Sequence, residues 1–509
     1  MLNGPLFGKI IMFALPIALS SMLQQMFNSA DSAVIGRFAD TNALAAVGTN
    51  AETVGLMVSI SAGLAVGANV SAAMLIGRRQ SDNLPKVAVT SLLFAFSFGL
   101  LLTIIGQFAV RPLLTVMSTP SNIIDQADMY LRIYLLSLPF LQLYDFGAAL
   151  LRAKGDSTRP FMILIASGVI KVLLNLFFVV VLKLSVAGVA LATDIANVFS
   201  ALCVVILALS DYLRAAKAAD EPSEKAAAAG VSTASRPLSS NTGTVSADIY
   251  ESNTETDSAV HAGSASGSDK NKENMNGIST DHGLIKSLIN TYFDKSILLT
   301  VVHIGVPAAL QGAVFCIANL FVQTSVNGFG SVVVAGSTIG VNLEYFSYYM
   351  LAAFGQTATT FVGQNYAAGS MKRCKRVFAL SLVSALVFSG SIVGIMYLNI
   401  EAVCSFFTKD SEVLQIALLR TSYIFALEWM CSLFEVPAGV LRGSGHSSLP
   451  AVISVVFTCC LRIVWIYTIF SHLGTLQSLF VVYPVSWLVT SLVMFIAYFV
   501  LHPFREGKL

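Results

Sequence analysis

The sequence predicts an all-α integral membrane protein with twelve transmembrane helices in two pseudo-symmetric bundles of six. Three observations support this prediction. The composition is 55% hydrophobic and only 11% charged, with a mean hydropathy of +0.75, whereas soluble domains carry about 25% charged residues. Apolar runs long enough for a helix to cross a bilayer recur along most of the chain. The two halves of the sequence also resemble each other.

Twelve apolar segments are predicted to span the membrane as helices. The runs are continuous, whereas the strands of a membrane barrel would alternate between lipid-facing and lumen-facing residues. Lysine and arginine concentrate in one set of short loops, at 78–86, 152–159 and 372–376. Because such loops stay on the cytoplasmic side, both termini are expected in the cytoplasm. The predicted spans are 10–36, 44–77, 87–110, 128–151, 160–182, 186–210, 297–327, 333–362, 375–399, 414–440, 449–471 and 474–501.

The chain is predicted to divide into an N-terminal six-helix lobe (1–210), a linker (211–296) and a C-terminal six-helix lobe (297–509). Within the linker, residues 215–283 are rich in Ala, Ser, Gly, Asn, Asp and Lys and nearly lack aromatic residues. Such a composition cannot bury enough apolar surface to offset the entropy of ordering, so a disordered cytoplasmic segment is expected. Its last part, 284–297, has the pattern of an amphipathic helix lying on the membrane surface.

An internal duplication relates the two halves. The first and seventh predicted spans align without a gap, which superposes Asn28 on Asn319, and the loops after the fourth and tenth spans also match. Because each copy has an even number of spans, both copies have the same orientation in the membrane. This arrangement is common among transporters. The same alignment places Val322 where Asp31 stands. Any carboxylate-based cation site on this face therefore belongs to the first bundle alone.

The first predicted span carries Gln24, Asn28 and Asp31 on one helical face, because they are four and three residues apart. A charged side chain at the bilayer centre costs about 2.5–3.5 kcal/mol, so this face is expected to point at protein or water. Asp31 can reduce its desolvation cost by accepting a proton or a cation, which is the property of an ion-coupling site. The alternative is a carboxyl group that serves as a structural hydrogen-bond partner.

Further polar side chains of the first bundle are candidates for the same cation-coupling site. Asn175 lies in the fifth predicted span, and Thr193 and Asn197 share one face of the sixth. Asp194 points elsewhere on that helix and is expected to make an interhelical hydrogen bond. The coupling ion is expected to be H⁺ or Na⁺. Apart from Na⁺ near Asp31, no metal site is indicated, and no cofactor is expected.

Candidates for a substrate cavity lie mainly in the second bundle. Glu344 lies well inside the eighth predicted span, and Tyr345 and Tyr348 follow it closely. A carboxylate beside aromatic rings suits an organic cation through charge and cation–π attraction, while ordinary packing is the alternative explanation for the rings. Asn319 and Glu52 complete the set of cavity candidates.

Four motifs stand out along the chain: ALPIALSSMLQQMFNSADSAVIGRF, LLRAKGDSTRP, TTFVGQNYAAG and EVPAGVLRGSGHSSLP. Together they resemble the MATE family, the multidrug and toxic compound extrusion transporters, over nearly everything except the linker. The resemblance implies a two-lobed, twelve-helix fold of the MATE/MOP kind and export of cationic, amphiphilic compounds in exchange for protons or sodium ions. It implies cation coupling at Asp31, with Asn175 lining the same lobe, and it matches Glu344 to a glutamate of many bacterial members. Thr193 and Asn197 stand where some members have an asparagine–aspartate pair.

The predicted function is therefore an antiporter of the plasma membrane that exports small organic cations. Its expected partners are these compounds and membrane lipid, the net charge of +2 gives no indication of nucleic acid, and a monomer is expected. A flippase or exporter of lipid-linked or polysaccharide substrates is the alternative. It would require several arginines around the central cavity, and Arg462 is the main arginine outside the loops. An enzyme is not expected, because no predicted span carries a catalytic motif such as HExxH or GxSxG.

Overall fold

The computed structural model describes residues 1–38, 41–116, 119, 123–228, 291–408, 410–501 and 503–504. Within these residues the secondary structure is helical and contains no strand. The side chain of Glu52 lies outside the described part, so its place in a substrate cavity stays a prediction.

The N-terminal lobe contains seven helices, of which α4 and α5 form one bent span. Their axes differ by 46°, and the bend lies at Ser137, just before Pro139 near the start of α5, where a proline is well tolerated. A π-helical turn, Phe177–Val181, extends α6. The helices are α1 (Leu6–Phe38), α2 (Thr41–Gly77), α3 (Leu84–Val116), α4 (Ile124–Leu136), α5 (Leu138–Ala153), α6 (Thr158–Leu176) and α7 (Ser185–Ala228).

The C-terminal lobe repeats this order with more interrupted helices. A 3₁₀ segment, Phe425–Cys431, joins α12 to α13, and the π-helical turns Val455–Cys460 and Ile466–Phe470 interrupt the next span. The helices are α8 (Lys295–Asn327), α9 (Ser331–Ala367), α10 (Met371–Tyr397), α11 (Ile400–Phe407), α12 (Ser411–Tyr423), α13 (Ser432–Gly443), α14 (Ser448–Ser454), α15 (Leu461–Trp465), α16 (Ser471–Leu473) and α17 (Leu476–Leu501).

The helix layout confirms the predicted membrane fold. Among the described residues, ten helical segments are long and apolar enough to cross a membrane, and the bent pair α4–α5 makes an eleventh. Helix α9 supplies the remaining position of the twelve-helix plan. It is less apolar because it carries polar side chains such as Glu344 and Gln364, and both of these are buried against protein.

The helices around the linker extend further than the sequence analysis predicted. Helix α7 continues to Ala228, past the expected end of the lobe at residue 210, and α8 begins at Lys295. Residues 229–290, where most of the disordered linker and of the amphipathic helix were predicted, lie outside the described part of the chain. The segments Met1–Lys217 and Tyr292–Leu509, which hold both bundles, form one compact unit.

The two lobes pack most closely where α2 crosses α8. A Cβ atom built on Gly67 would lie 2.0 Å from the carbonyl oxygen of Val301, and one built on Gly63 would lie 2.4 Å from the Cα atom of Ala309. Only glycine fits at such distances, because any side chain would overlap the backbone of the other helix. The two backbones are therefore in direct contact.

Hydrogen bonds also join the lobes toward the end that carries the basic loops. The Thr360 hydroxyl donates to Asn69 Oδ1 at 3.0 Å. The Gln364 side chain donates to the carbonyl oxygen of the last residue of α5. Arg373 donates to the carbonyl oxygen of Met1, which ties the N-terminus to the second lobe. The lobes are therefore closed against each other at this end.

Candidate functional site

Asp31 lies in a buried polar site between α1 and α6. Its side chain is 7% exposed, and its Oδ2 atom lies 2.6 Å from the Lys171 ammonium. The Asn175 amide donates to Oδ1, also at 2.6 Å. Lys171 and Asn175 are four residues apart on α6, so both reach Asp31 from one helical face. Each carboxylate oxygen therefore has a donor, and the negative charge has a positive partner.

The site continues toward a more exposed part of α1. The Lys171 ammonium also donates to Asn28 Oδ1 at 3.5 Å, and Asn28 is exposed. Gln24 is half-buried one turn before Asn28. The face of α1 that the sequence predicted as polar is therefore buried at Asp31 and exposed at Asn28, and Lys171 contacts both of these residues.

Lys171 is a site residue that the sequence analysis missed. A signal was present, since a lysine stands inside the fifth predicted span, four residues before Asn175. An ionisable residue within a membrane span is a functional hypothesis by default. The expectation that Asp31 lies near Asn175 agrees with the structure. A basic partner for Asp31 was not expected.

The two candidates on α7 have other partners. The Thr193 hydroxyl donates to the carbonyl oxygen of Val189 in its own helix, and the Asn197 amide donates to Ser137 Oγ at 3.1 Å. No hydrogen bond in the described residues links Thr193 or Asn197 to Asp31. The participation of Thr193 and Asn197 in cation coupling stays a prediction.

Asp194 lies close to Ser137 at the bend between α4 and α5, and the interhelical hydrogen bond expected of it stays a prediction. It also lies within electrostatic range of Tyr130 and Tyr134 on α4, and the same two tyrosines are within range of Asp31. The two carboxyl groups therefore belong to one polar region of the N-terminal lobe, which also contains these tyrosines.

Glu344 pairs with a basic group of its own lobe, a partner that the sequence did not indicate, and its place in a substrate cavity stays a prediction. Its two oxygens accept hydrogen bonds from Nε and Nη2 of Arg420 on α12, each at 2.8 Å. The Arg420 side chain is 3% exposed and that of Glu344 is 12% exposed. Because the guanidinium neutralises the carboxylate, Glu344 offers no net charge to an organic cation. A second buried carboxyl, Glu428, lies beside this pair.

Arg462 is the most deeply buried basic group of the C-terminal lobe. It is fully buried, its Nη1 donates to Asn319 Oδ1 at 2.9 Å, and its Nε donates to Ser486 Oγ at 3.1 Å. Its guanidinium lies 4.3 Å from the centroid of the Tyr483 ring. Asn319, predicted as a cavity residue, is therefore a hydrogen-bond acceptor for an arginine.

The tyrosines that follow Glu344 form a group of packed rings that contacts the other lobe. Tyr345 is 39% exposed, and its ring stacks on that of Tyr349 with centroids 5.6 Å apart. The Tyr349 hydroxyl donates to Gln25 of the other lobe at 3.4 Å. Tyr348 packs against Tyr349 at 6.3 Å. Tyr345 is the most exposed of these rings, and its role and that of Tyr348 in a substrate cavity stay predictions.

Known proteins resemble the chain over almost its whole length. The family model MatE matches it twice, at residues 16–177 and 307–468. A probable multidrug resistance protein of Bacillus subtilis, YoeA, is 25% identical and is aligned over 95% of this chain and 91% of its own length.

Solved transporter structures share the fold. A MOP superfamily transporter from Pyrococcus furiosus superposes with a TM-score of 0.79 at 17% identity, over 99% of this chain and 98% of its own. A multidrug resistance MATE family transporter in an outward-facing conformation superposes with a TM-score of 0.76 at 18% identity, over 98% and 96% of the two chains.

Proposed function

Because the chain belongs to the MatE family of multidrug resistance transporters, we propose that it is a secondary active antiporter. It exports cationic or amphiphilic small organic compounds in exchange for H⁺ or Na⁺. The family is a transporter family, and no catalytic role is proposed.

The observation that carries this proposal is the buried ion pair of Asp31 and Lys171. A carboxyl group in an apolar interior is stable only when it is paired or protonated. It can therefore exchange its partner for a coupling ion when access to the site changes. The exposed Asn28, which contacts the same lysine, offers a route from the site to the surface.

The contacts between the lobes support alternating access. The lobes meet through backbone contacts and hydrogen bonds toward the end with the basic loops. Such loops lie on the cytoplasmic side, so we assign this arrangement to a state closed to the cytoplasm. We further propose that the protein acts as a monomer in the plasma membrane, with both termini in the cytoplasm. Rocking of the two lobes would open that end.

The test is efflux of ethidium, a fluorescent organic cation, from cells that produce either the wild-type protein or Asp31→Asn. We expect the variant to lose gradient-driven efflux by about tenfold or more, a typical size for coupling between sites. Asp125→Asn is the control, because Asp125 is an exposed carboxylate, with a side chain 82% accessible, that pairs with Arg111. It should export at the wild-type rate.

Substitution of Asp31 leaves the Lys171 ammonium buried without its counter-charge, which can lower stability. The amount of folded protein in the membrane is therefore measured by size-exclusion chromatography for each variant. Wild-type efflux by an equal amount of folded Asp31→Asn would contradict the assignment. No ethidium efflux by the wild-type protein would contradict the proposed substrate class.

The flippase alternative gains one feature from the structure, a second buried arginine. Arg420 and Arg462 both lie inside the C-terminal lobe, where the sequence indicated Arg462 as the main arginine outside the loops. Arg420 is neutralised by Glu344, however, so of these two arginines only Arg462 lacks a carboxylate partner among the described residues. Binding of a lipid-linked pyrophosphate would require more, and the drug antiporter is therefore the favoured proposal.

A further inference from the structure

The duplicated halves place a basic residue at equivalent positions in the two lobes. Asn28 and Asn319, which the repeat superposes, are separated along the chain by the same number of residues as Lys171 and Arg462. Lys171 donates to Asn28, and Arg462 donates to Asn319. The two contacts therefore correspond to each other, and each lobe has one cation at this point.

The π-helical turn Val455–Cys460 explains why the sequence repeat hid this equivalence. In the loops that precede α6 and α14, the repeat aligns Arg152 with Arg442. The separation between these two arginines is one residue shorter than the separation between Asn28 and Asn319. A π-helical turn accommodates one additional residue in a helix. Because this turn lies between the loop and Arg462, it restores the register, and Arg462 becomes the counterpart of Lys171.

The two cations differ in how they are neutralised. Lys171 contacts the carboxylate of Asp31, whereas the position equivalent to Asp31 holds Val322, a buried apolar residue. Arg462 instead has Asn319, Ser486 and the face of an aromatic ring. In the N-terminal lobe alone, the state of one carboxyl group decides whether the cation is compensated.

We propose that Lys171 is a built-in counter-cation that occupies the position a sodium ion would take at Asp31, so that the ion exchanged there is a proton. This inference rests on the proposed antiporter function and specifies its coupling ion. A proton that binds Asp31 converts the carboxylate to a carboxylic acid and ends its ion pair with Lys171. The lysine remains protonated, so the pair changes from net zero to one positive charge. The N-terminal lobe then resembles the C-terminal lobe, with an uncompensated cation beside its asparagine.

The geometry disfavours sodium at Asp31. Both carboxylate oxygens already accept a hydrogen bond from α6, one from Lys171 and one from Asn175. A sodium ion would have to displace the ammonium while remaining within a few ångströms of it, and like charges at that range repel strongly in a low-dielectric site. A proton binds to the carboxylate itself and needs no coordination shell.

The other ionisable groups around Asp31 are few among the described side chains. Helix α4 contributes Tyr130 and Tyr134, which are within electrostatic range of Asp31. Helix α7 contributes Asp194, which is within range of the same two tyrosines. On α9, which also packs against α1, Glu344 is occupied by its own arginine. Lys171 is therefore the basic group in direct contact with Asp31.

The exchange follows from charge. With Asp31 ionised, the pair is neutral, and an organic cation can approach the exposed Asn28. With Asp31 protonated, the Lys171 ammonium beside Asn28 repels that cation. Binding of a proton and of a cationic substrate would therefore exclude each other, as antiport requires.

The test uses the purified full-length protein in liposomes, with ethidium as the transported probe and pH and sodium gradients imposed separately. We expect a pH gradient to drive wild-type transport and a sodium gradient to have no effect. Lys171→Gln should lose the response to the pH gradient by about tenfold or more, while Lys171→Arg, which keeps the charge, should retain most of it. Lys183→Gln is the matched control, because Lys183 is an exposed lysine just beyond α6, and should behave as wild type.

A second measurement needs no substrate. The thermal unfolding temperature is compared in NaCl and in choline chloride at equal ionic strength, because a ligand that binds the native state raises it. We expect no sodium-specific stabilisation of the wild-type protein.

Three results would overturn the inference: transport driven by sodium alone, a sodium-specific stabilisation that Asp31→Asn abolishes, or a folded Lys171→Gln with the wild-type pH response. Failure of the antiporter proposal is distinguishable, because the wild-type protein would then move no ethidium under either gradient. The thermal comparison would still show whether sodium binds at Asp31.

Discussion

A single added methyl group at Gly67 should separate the two lobes. A Cβ atom at this position would lie 2.0 Å from the carbonyl oxygen of Val301, whereas ordinary contacts begin at 3.4 Å. In Gly67→Ala, α2 and α8 must therefore move apart by about 1.4 Å, and overpacking of this kind costs about 1–3 kcal/mol. The higher helix propensity of alanine returns only about 0.8–1.0 kcal/mol. We expect a net loss of stability and a weakened closure at the basic end.

The matched control lies in the same helix. Among the described residues, no atom lies within 4 Å of a Cβ built on Gly55, so Gly55→Ala should keep the propensity gain without the overlap. Thermal unfolding in detergent compares the two variants, and Gly67→Ala should unfold at the lower temperature. If Gly67→Ala were as stable as Gly55→Ala, the direct backbone contact between α2 and α8 would be refuted.

Two further predictions concern ion pairs and a helix start. Arg420→Met should lower the free energy of unfolding by about 3–5 kcal/mol, because Glu344 is left buried without its cation. Glu344→Gln should cost less, because Glu428 still lies beside Arg420. In a double-mutant cycle, the double variant should lose clearly less stability than the sum of the two single losses, and additive losses would contradict the pairing. The control Arg111→Gln, which removes an exposed ion pair, should cost under about 1 kcal/mol. Asp294→Ala should cost about 1 kcal/mol, because its carboxylate caps α8. Hydrogen bonding from Ser296 lowers the pKa of Asp294, so this stabilisation is present above the ordinary pKa of a carboxyl and is lost as pH falls through the folded-state pKa. Asp294→Asn should flatten that acid limb in denaturation measured between pH 2 and pH 6, and an unchanged limb would contradict the assignment.

Features that depend on one helix at a time follow from the amino-acid sequence. Span positions follow from local hydropathy, and the common face of Gln24, Asn28 and Asp31 follows from helical periodicity. Such reasoning identifies which side of a helix is polar. It does not identify the residue that meets that side from another helix. For this reason Asp31 was identified and its partner Lys171 was not.

Glu344 illustrates the same limit from the opposite direction. Its position inside a span indicates that the carboxylate needs a partner, and the sequence favours an organic cation from outside the chain for that role. The partner in the structure is Arg420 of the same chain. The two residues lie far apart in sequence, on α9 and α12, and only the packing of these helices brings them together.

The amino-acid sequence by itself determined the membrane class, the two six-helix copies and the inequality between them at Asp31 and Val322. These properties follow from the amino-acid composition, the hydrophobic periodicity and the internal sequence repeat. The tertiary structure alone decided which charges are neutralised, how closely α2 approaches α8, and that a π-helical turn makes Arg462 the counterpart of Lys171. The physical reason is that contacts between helices depend on their relative rotation and rise, and a shift of one residue turns a helix by about 100°.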